Sequence, residues 1–98
     1  MYLGKSVAVV VPAYNEEQLI GKTLSSMPDC VDKIIVVDDA SKDRTVEIVK
    51  SLSQNDNRIS IIEHKQNQGV GAAIISGYKQ ARDLAIDVTV VMAGDGQM

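Results

Sequence analysis

Aromatic side chains are scarce in this 98-residue chain, which has no Trp, no Phe and three tyrosines, Tyr2, Tyr14 and Tyr78. Its core must therefore be aliphatic. Cysteine occurs once, as Cys30, so no internal disulfide can form and a reducing, cytoplasmic setting is expected. Histidine also occurs once: His64 has no partner pattern for nucleophilic catalysis and reads as a strand-end residue, not a base. Positive charge is in deficit, with ten basic against thirteen acidic residues and a net charge of −3. That sign is wrong for a domain that neutralises phosphates along a polymer, so no nucleic acid is expected as a partner. A phosphorylated small ligand would need the acidic groups near it screened by a metal ion or by backbone amides. No apolar run nears the ~20 residues that cross a bilayer, and the first residues carry no signal-peptide core, so the sequence reads as soluble.

What is present describes an ordinary globular domain: 45% hydrophobic and 23% charged residues exclude low-hydrophobicity disorder. The length fits one small domain, and area scaling leaves roughly 5,500 Å² exposed of about 15,400 Å² in the extended chain. Apolar runs alternate with polar helical stretches, with no repeat and no linker. The first strand is expected over Val7–Val11, closed by Pro12. A helix should start near Glu16 with Asn15 as N-cap, bury a stripe of Leu19, Ile20, Leu24 and Met27, and stop at Pro28.

Ile34–Val37 reads as the second strand, followed by Asp38, Asp39, Ala40 and Ser41 and by a helix with Val46, Val49 and Leu52 on one face. Ser41 or Asp43 can cap that helix. Arg58–Ile62 is the third expected strand, Gln66–Val70 a turn, Ala72 to about Arg82 the third helix, and Val88–Met92 the fourth strand. This alternation argues for an α/β fold with a parallel, Rossmann-like sheet of about four strands and helices on both faces. Ligands of such sheets sit outside the carboxyl ends of the strands. The unusual polar residues fall there: Tyr14, Asn15 and Glu16 after strand one, Asp38 and Asp39 after strand two, His64 and Asn67 after strand three, Asp95 and Gln97 after strand four. With neighbouring strands ~4.8 Å apart, four such loops could line one crevice of nucleotide size.

Each candidate has a plainer alternative. Consecutive strand residues alternate in direction, so Asp38 and Asp39 cannot both cap one helix end, and one should reach the crevice. A carboxylate there accepts only, which suits a nucleobase ring N–H, an amino group or a ribose hydroxyl. From the pair alone, a carboxylate bonded to backbone amides is equally supported. Pro12, Tyr14 and Glu16 could wall a flat base, yet the same run also serves as an ordinary capped helix start. Gly69 and Gly71 resemble a dinucleotide fingerprint only superficially, because Ile74 holds its third small position and the run follows strand three. A glycine turn that permits close helix-to-sheet packing explains those glycines better, and Gly77 inside the helix reads the same way. Asp95 and Gln97, set among glycines, could face a hard cation such as Mg²⁺ or Mn²⁺ on diphosphate oxygens, although a plain glycine turn accounts for them alone.

Taken together and in this order, the motifs resemble the nucleotide-sugar-binding half of the family 2 glycosyltransferases, which have the GT-A fold. Val9–Glu16 is similar to the family's opening strand and Pro-x-Tyr-Asn-Glu turn. Val36–Thr45 is similar to its Val-Val-Asp-Asp-x-Ser-x-Asp-x-Thr segment, and Asn67–Gly77 to its Asn-x-Gly-x-x-Ala helix start. Gly94–Gln97 falls at its Asp-x-Asp motif, with Ala93 in place of the first acid. The resemblance implies donor contacts from Pro12, Tyr14, Glu16, Asp38 and Asp39, with Asp39 on the base. It further implies Mg²⁺ or Mn²⁺ held by Asp95 and Gln97.

The implied reaction takes a UDP- or GDP-linked sugar and transfers the sugar with inversion to a lipid-phosphate or saccharide acceptor. In the intact protein this could happen at the cytosolic membrane face. No residue present matches an inverting base, so the catalytic half is expected downstream and the chain reads as a truncated, binding-competent fragment. An exposed fourth strand could then support a homodimer. The competing class is a receiver-like signalling module using Asp38 and Asp39 for Mg²⁺. It lacks support at the end of strand three, where Ile62, Glu63 and His64 stand in place of a phospho-acceptor Asp. A dinucleotide oxidoreductase lacks glycines after strand one, and a nucleotidyltransferase would need a basic, glycine-rich loop near Pro12.

Overall fold

Val7–Val11 and Lys33–Val37 are almost unbroken apolar runs, which is what a strand covered on both faces requires. In the computed structural model, which describes residues 1–92, they form the centre of a four-stranded parallel sheet. The strands are β1 (Val7–Ala13), β2 (Lys33–Asp38), β3 (Ile59–Glu63) and β4 (Val88–Val91), in the order β3-β2-β1-β4. Helices α1 (Ile20–Ser25), α2 (Thr45–Ser53) and α3 (Val70–Asp83) connect them.

Strand alternation separates two aliphatic cores. Val9, Val11, Ala13, Ile34 and Val36 face Ile20, Leu24 and Val49 on the α1–α2 side. Ala8, Val10, Ile35 and Val37 face Ala73 and Ala81 of α3 on the other. The sheet is thus covered on both faces, as the alternating pattern predicts. At the amino-terminal rim, Asp32 accepts the Val7 N–H at 2.8 Å and Asp87 the Ser6 N–H at 2.8 Å, so both outer faces of β1's start are tied down. No helix among the described residues is long and apolar enough to cross a membrane.

Three local expectations need correction. β1 continues through Pro12 to Ala13, because proline costs nothing at that position. The Val10 carbonyl accepts the Met92 N–H on the β4 side, so the Pro12 nitrogen, two residues on, faces that same side beyond the last β4 pairing at Val91. The first helix begins at Ile20, not near Glu16, after a turn in which Leu19 and Ile20 N–H groups both reach the Glu16 carbonyl. Leu19 consequently leaves the buried stripe and is exposed. Asn15 is no N-cap: it adopts a left-handed φ of 53°, and its side chain bonds elsewhere. In β4, Val88 and Val90 are exposed, as expected for a strand with one paired neighbour among the described residues.

At Gly77, α3 packs closely on Val10 of β1. A Cβ there would stand 2.2 Å from Val10 Cγ1 and 2.8 Å from Cγ2. By helix propensity alone, alanine would be favoured by ~1 kcal/mol. Overpacking of this severity costs ~3 kcal/mol or more, so the clash decides the sign. Gly77→Ala should therefore lower stability by about 2 kcal/mol in urea titrations; a gain in stability would show that α3 can lift off β1 freely.

Candidate functional site

All four strands run parallel, so their carboxyl ends share one rim, and the polar loops leave from it. The loop after β1 is held by the loop after β2. Three successive backbone N–H groups donate to three alternate side chains: Asn15 to Ser41 Oγ at 2.9 Å, Glu16 to Thr45 Oγ1 at 2.9 Å, and Glu17 to Asp43 Oδ2 at 3.2 Å. Asn15 returns the contact by accepting the Lys42 N–H on Oδ1 at 2.8 Å. Asp43 Oδ1 also accepts the Thr45 N–H at 3.0 Å and its hydroxyl at 2.5 Å, so Asp43, of the two candidates, is the one that closes the start of α2. Burial raises the Asp43 pKa, but the Thr45 hydroxyl and the Thr45 and Glu17 amides outweigh it and hold the carboxyl below its ordinary value. The Ser-x-Asp-x-Thr run is therefore a brace for the first loop.

Asp38 and Asp39 diverge as strand alternation requires. Asp38 follows Ile34 and Val36 on the α1–α2 face, and its Oδ2 accepts the Ser41 N–H at 3.0 Å. Its buried Oδ1 has no hydrogen-bond partner among the described residues. Asp39 points to the α3 side. Its Oδ1 accepts the Gln68 N–H at 2.8 Å and faces His64 Nδ1 at 2.9 Å; its Oδ2 accepts the Gly69 N–H at 2.8 Å. The carboxylate thus anchors the two residues that lead into α3, of which Gly69 needs its positive φ of 94°. Gly71 has no such positive φ, and a Cβ would meet nothing within 4 Å at either Gly69 or Gly71, so the close-packing reading holds at Gly77 and fails at the other two.

Burial is the largest influence on Asp39 and raises its pKa. The Gln68 amide, the His64 ring and the Gly69 amide together overcome it, and the carboxyl lies below its ordinary value. His64 is a buried partner of this acid, and its Nε2 lies 2.9 Å from Ser76 Oγ on α3. No local pattern in the sequence encodes this Asp39–His64–Ser76 chain. One signal could have exposed it: with Asp38 opposite Glu63 in the parallel register, Asp39 and His64 fall side by side on the same face.

A cavity of about 340 Å³ opens between the end of β1 and the start of α3. Pro12, Ala13, Tyr14 and Glu16 form one wall, Asp39 the floor, and Asn67, Gly69, Val70 and Ala73 the other wall. Its volume suits a small organic ligand. Tyr14 is 42% exposed and Asp39 3%, so the aromatic stands at the mouth and the acid at the base. Of the predicted donor residues, Pro12, Tyr14, Glu16 and Asp39 come together here, whereas Asp38 does not line the cavity. Asp95 and Gln97 lie outside the described residues. Among the described residues, no group of three or more His, Cys, Asp or Glu side chains could hold a metal.

Two outcomes follow from this geometry. Ala40, between Asp39 and Ser41, has a left-handed φ of 64°, a conformation that costs a Cβ-bearing residue ~1–2 kcal/mol. After the greater unfolded-state entropy of glycine is deducted, Ala40→Gly should stabilise the chain by ~0.5–1 kcal/mol in the same titrations. Asp39 has a lowered folded pKa, so its contribution is complete above the unfolded value of about 3.9 and is lost as pH falls through the folded value. Asp39→Ala should cost about 2–3 kcal/mol at pH 7 and flatten the decline in stability below about pH 4; an acid limb identical to that of the unaltered chain would refute this.

Residues 8–98 match the family model described as glycosyl transferase family 2. The chain is 39% identical over 106 residues to the UDP-N-acetylglucosamine–dolichyl-phosphate N-acetylglucosaminyltransferase of Methanococcus voltae, covering 95% of this chain and 42% of that protein. Its fold superposes on the Pyrobaculum calidifontis mannosyltransferase PcManGT, solved with GDP-Man and Mn²⁺, with a TM-score of 0.76, 26% identity, and coverage of 93% of this chain and 28% of that one. For Staphylococcus aureus TarS residues 1–349 with UDP, the TM-score is 0.74 at 26% identity, over 92% of this chain and 27% of that one. The chain thus spans less than half the length of each of these three proteins. With a family match over nearly its whole length, a parallel α/β sheet of the GT-A type and a cavity at the carboxyl rim, the chain belongs to glycosyl transferase family 2.

Proposed function

We propose that this chain is the nucleotide-sugar-binding half of a glycosyltransferase, and that its cavity receives the nucleoside of a UDP- or GDP-linked sugar. The observation that carries the reading is the convergence of Pro12 at the end of β1, Tyr14 and Glu16 in the loop after it, and Asp39 in the loop after β2, on one cavity of about 340 Å³. Tyr14 at the mouth offers a face on which a base stacks, opposite the apolar side chains of Val70 and Ala73. Asp39, ionised at neutral pH, accepts a ring N–H from the base edge. Glu16 stands near the polar edge of the nucleoside.

A divalent cation, Mg²⁺ or Mn²⁺, held at Asp95 and Gln97 would stabilise the departing diphosphate; the Mn²⁺ bound with GDP-Man in PcManGT supports it. Transfer with inversion to a lipid-phosphate or saccharide acceptor would then require a base and acceptor site from outside these residues. The dolichyl-phosphate named for the Methanococcus relative favours the lipid-phosphate class; such an acceptor would be met at the cytosolic membrane face.

Calorimetric titration with UDP, GDP and their sugar conjugates, each with and without Mn²⁺, tests the reading. Binding of UDP or GDP is expected, strengthened by Mn²⁺ and lost in Asp39→Ala under conditions where that variant is folded. Loss of one stacked base contact is worth ~1–3 kcal/mol, so Tyr14→Ala should weaken binding about fivefold or more. If the chain took up none of these nucleotides, the donor-site assignment would fail.

A further inference from the structure

Asp39 has one acceptor position more than its protein partners use, and residues away from the cavity decide which one stays open. An ionised carboxylate has about four lone-pair sites. Oδ1 is filled by the Gln68 N–H and by His64 Nδ1, at 2.8 and 2.9 Å, while Oδ2 takes the Gly69 N–H alone, at 2.8 Å. The unused position is therefore on Oδ2.

His64 is itself fixed from behind. Because Asp39 can only accept, the proton of a neutral imidazole belongs on Nδ1, and Nε2 accepts the Ser76 hydroxyl at 2.9 Å. The side chains of His64 and Asp39 are 8% and 5% exposed, which leaves little access for water to replace either contact. Ser76 lies in α3, His64 one residue past β3 and Asp39 one residue past β2, so the chain of bonds ties together three elements behind the cavity. Neither His64 nor Ser76 lines that cavity.

We propose that His64 and Ser76 are positioning residues that set base specificity. The Gln68 and Gly69 amides hold one site on each oxygen; His64, steadied by Ser76, fills the second site of Oδ1 and so leaves Oδ2 as the open acceptor. The site then selects a base whose edge carries a ring N–H, such as uracil at N3 or guanine at N1. Cytosine N3 and adenine N1 bring a lone pair to the same place, and with the open acceptor fixed there their amino donors lie one position away along the base edge, so both are disfavoured. This inference rests on the donor-site reading above, which it deepens.

The test is titration of the full 98-residue chain with UDP, GDP, CDP and ADP, in the unaltered protein and in His64→Phe, His64→Asn and Ser76→Ala. Loss of a hydrogen bond to a charged acceptor weakens binding by about tenfold or more, so UDP or GDP should bind at least about tenfold more tightly than CDP and ADP. In His64→Phe the ratio should fall below about threefold. Asn at position 64 can place an amide N–H where Nδ1–H stood, and His64→Asn should restore most of the preference. Ser76→Ala, which frees the imidazole to tilt, should reduce the ratio by half or more, and it carries the test if His64→Phe fails to fold by circular dichroism. A merely structural prop would weaken all nucleotides alike and leave the ratio unchanged in every folded variant, which would overturn the proposal. So would ¹⁵N spectra of the unliganded protein placing the His64 proton on Nε2. If the unaltered chain bound no nucleotide at all, the donor-site reading itself would fall, a result distinguishable from binding whose preference ignores His64.

Discussion

The Asp39 carboxylate is the joint between the sheet and α3, and the shape of the carboxyl rim depends on it. An ionised group this deeply buried is tolerated only with its charge compensated by directed donors. Here the donors are two backbone amides and one imidazole, all from the connection between β3 and α3. The same bonds that keep the acid charged also fix the two residues before α3 and place negative charge near the positive end of that helix. Stability and site geometry are consequently one set of contacts: whatever loosens Asp39 also moves the wall formed by Gly69, Val70 and Ala73.

The opposite wall hangs on the same loop. Ser41, Asp43 and Thr45 receive the amides of Asn15, Glu16 and Glu17, so Tyr14 and Glu16 are carried on a backbone stapled to the β2–α2 connection. Between the two sets of contacts sits Ala40 in its left-handed conformation, the bend that lets Asp39 face α3 while Ser41 turns toward the β1 loop. Both walls therefore take their positions from residues 38–45. Strain at Ala40 is small beside the contacts on either side, which is why the chain tolerates a Cβ there.

Much of this was legible in the sequence, for physical reasons that differ by element. β1 and β2 announced themselves because strands covered on both faces must be apolar without interruption, and α2 and α3 because one-sided burial imposes a helical period. The divergence of Asp38 and Asp39 follows from strand alternation alone, but which of them faces α3 requires knowing which face of β2 that helix covers. The start of α1 was misread since Asn15 has the chemistry of an N-cap, while its side chain is committed to Lys42, 27 residues away. Pro12 looked like a strand terminus because its harmlessness depends on where β4 ends. His64 is the clearest case: its meaning lies in a pairing between β2 and β3 and a contact with α3, neither of which a local pattern encodes.

Strand order adds a constraint on how a nucleoside diphosphate would lie in the proposed site. β1 stands between β2, which delivers Asp39, and β4, after which the chain runs on to Asp95 and Gln97. The connection order reverses at β1, where ligands of open parallel sheets characteristically bind. Two strand spacings separate the β2 and β4 ends, on the order of 10 Å, comparable with the reach from a base to its second phosphate. A donor laid across the tip of β1 would put its base over Asp39, whose charge is already shared among protein donors, and send its phosphates toward the β4 side. The acidic chain thus need not oppose an anionic ligand at the base end; the demand for positive charge is confined to the phosphate end, where the cation of the proposed reaction would act.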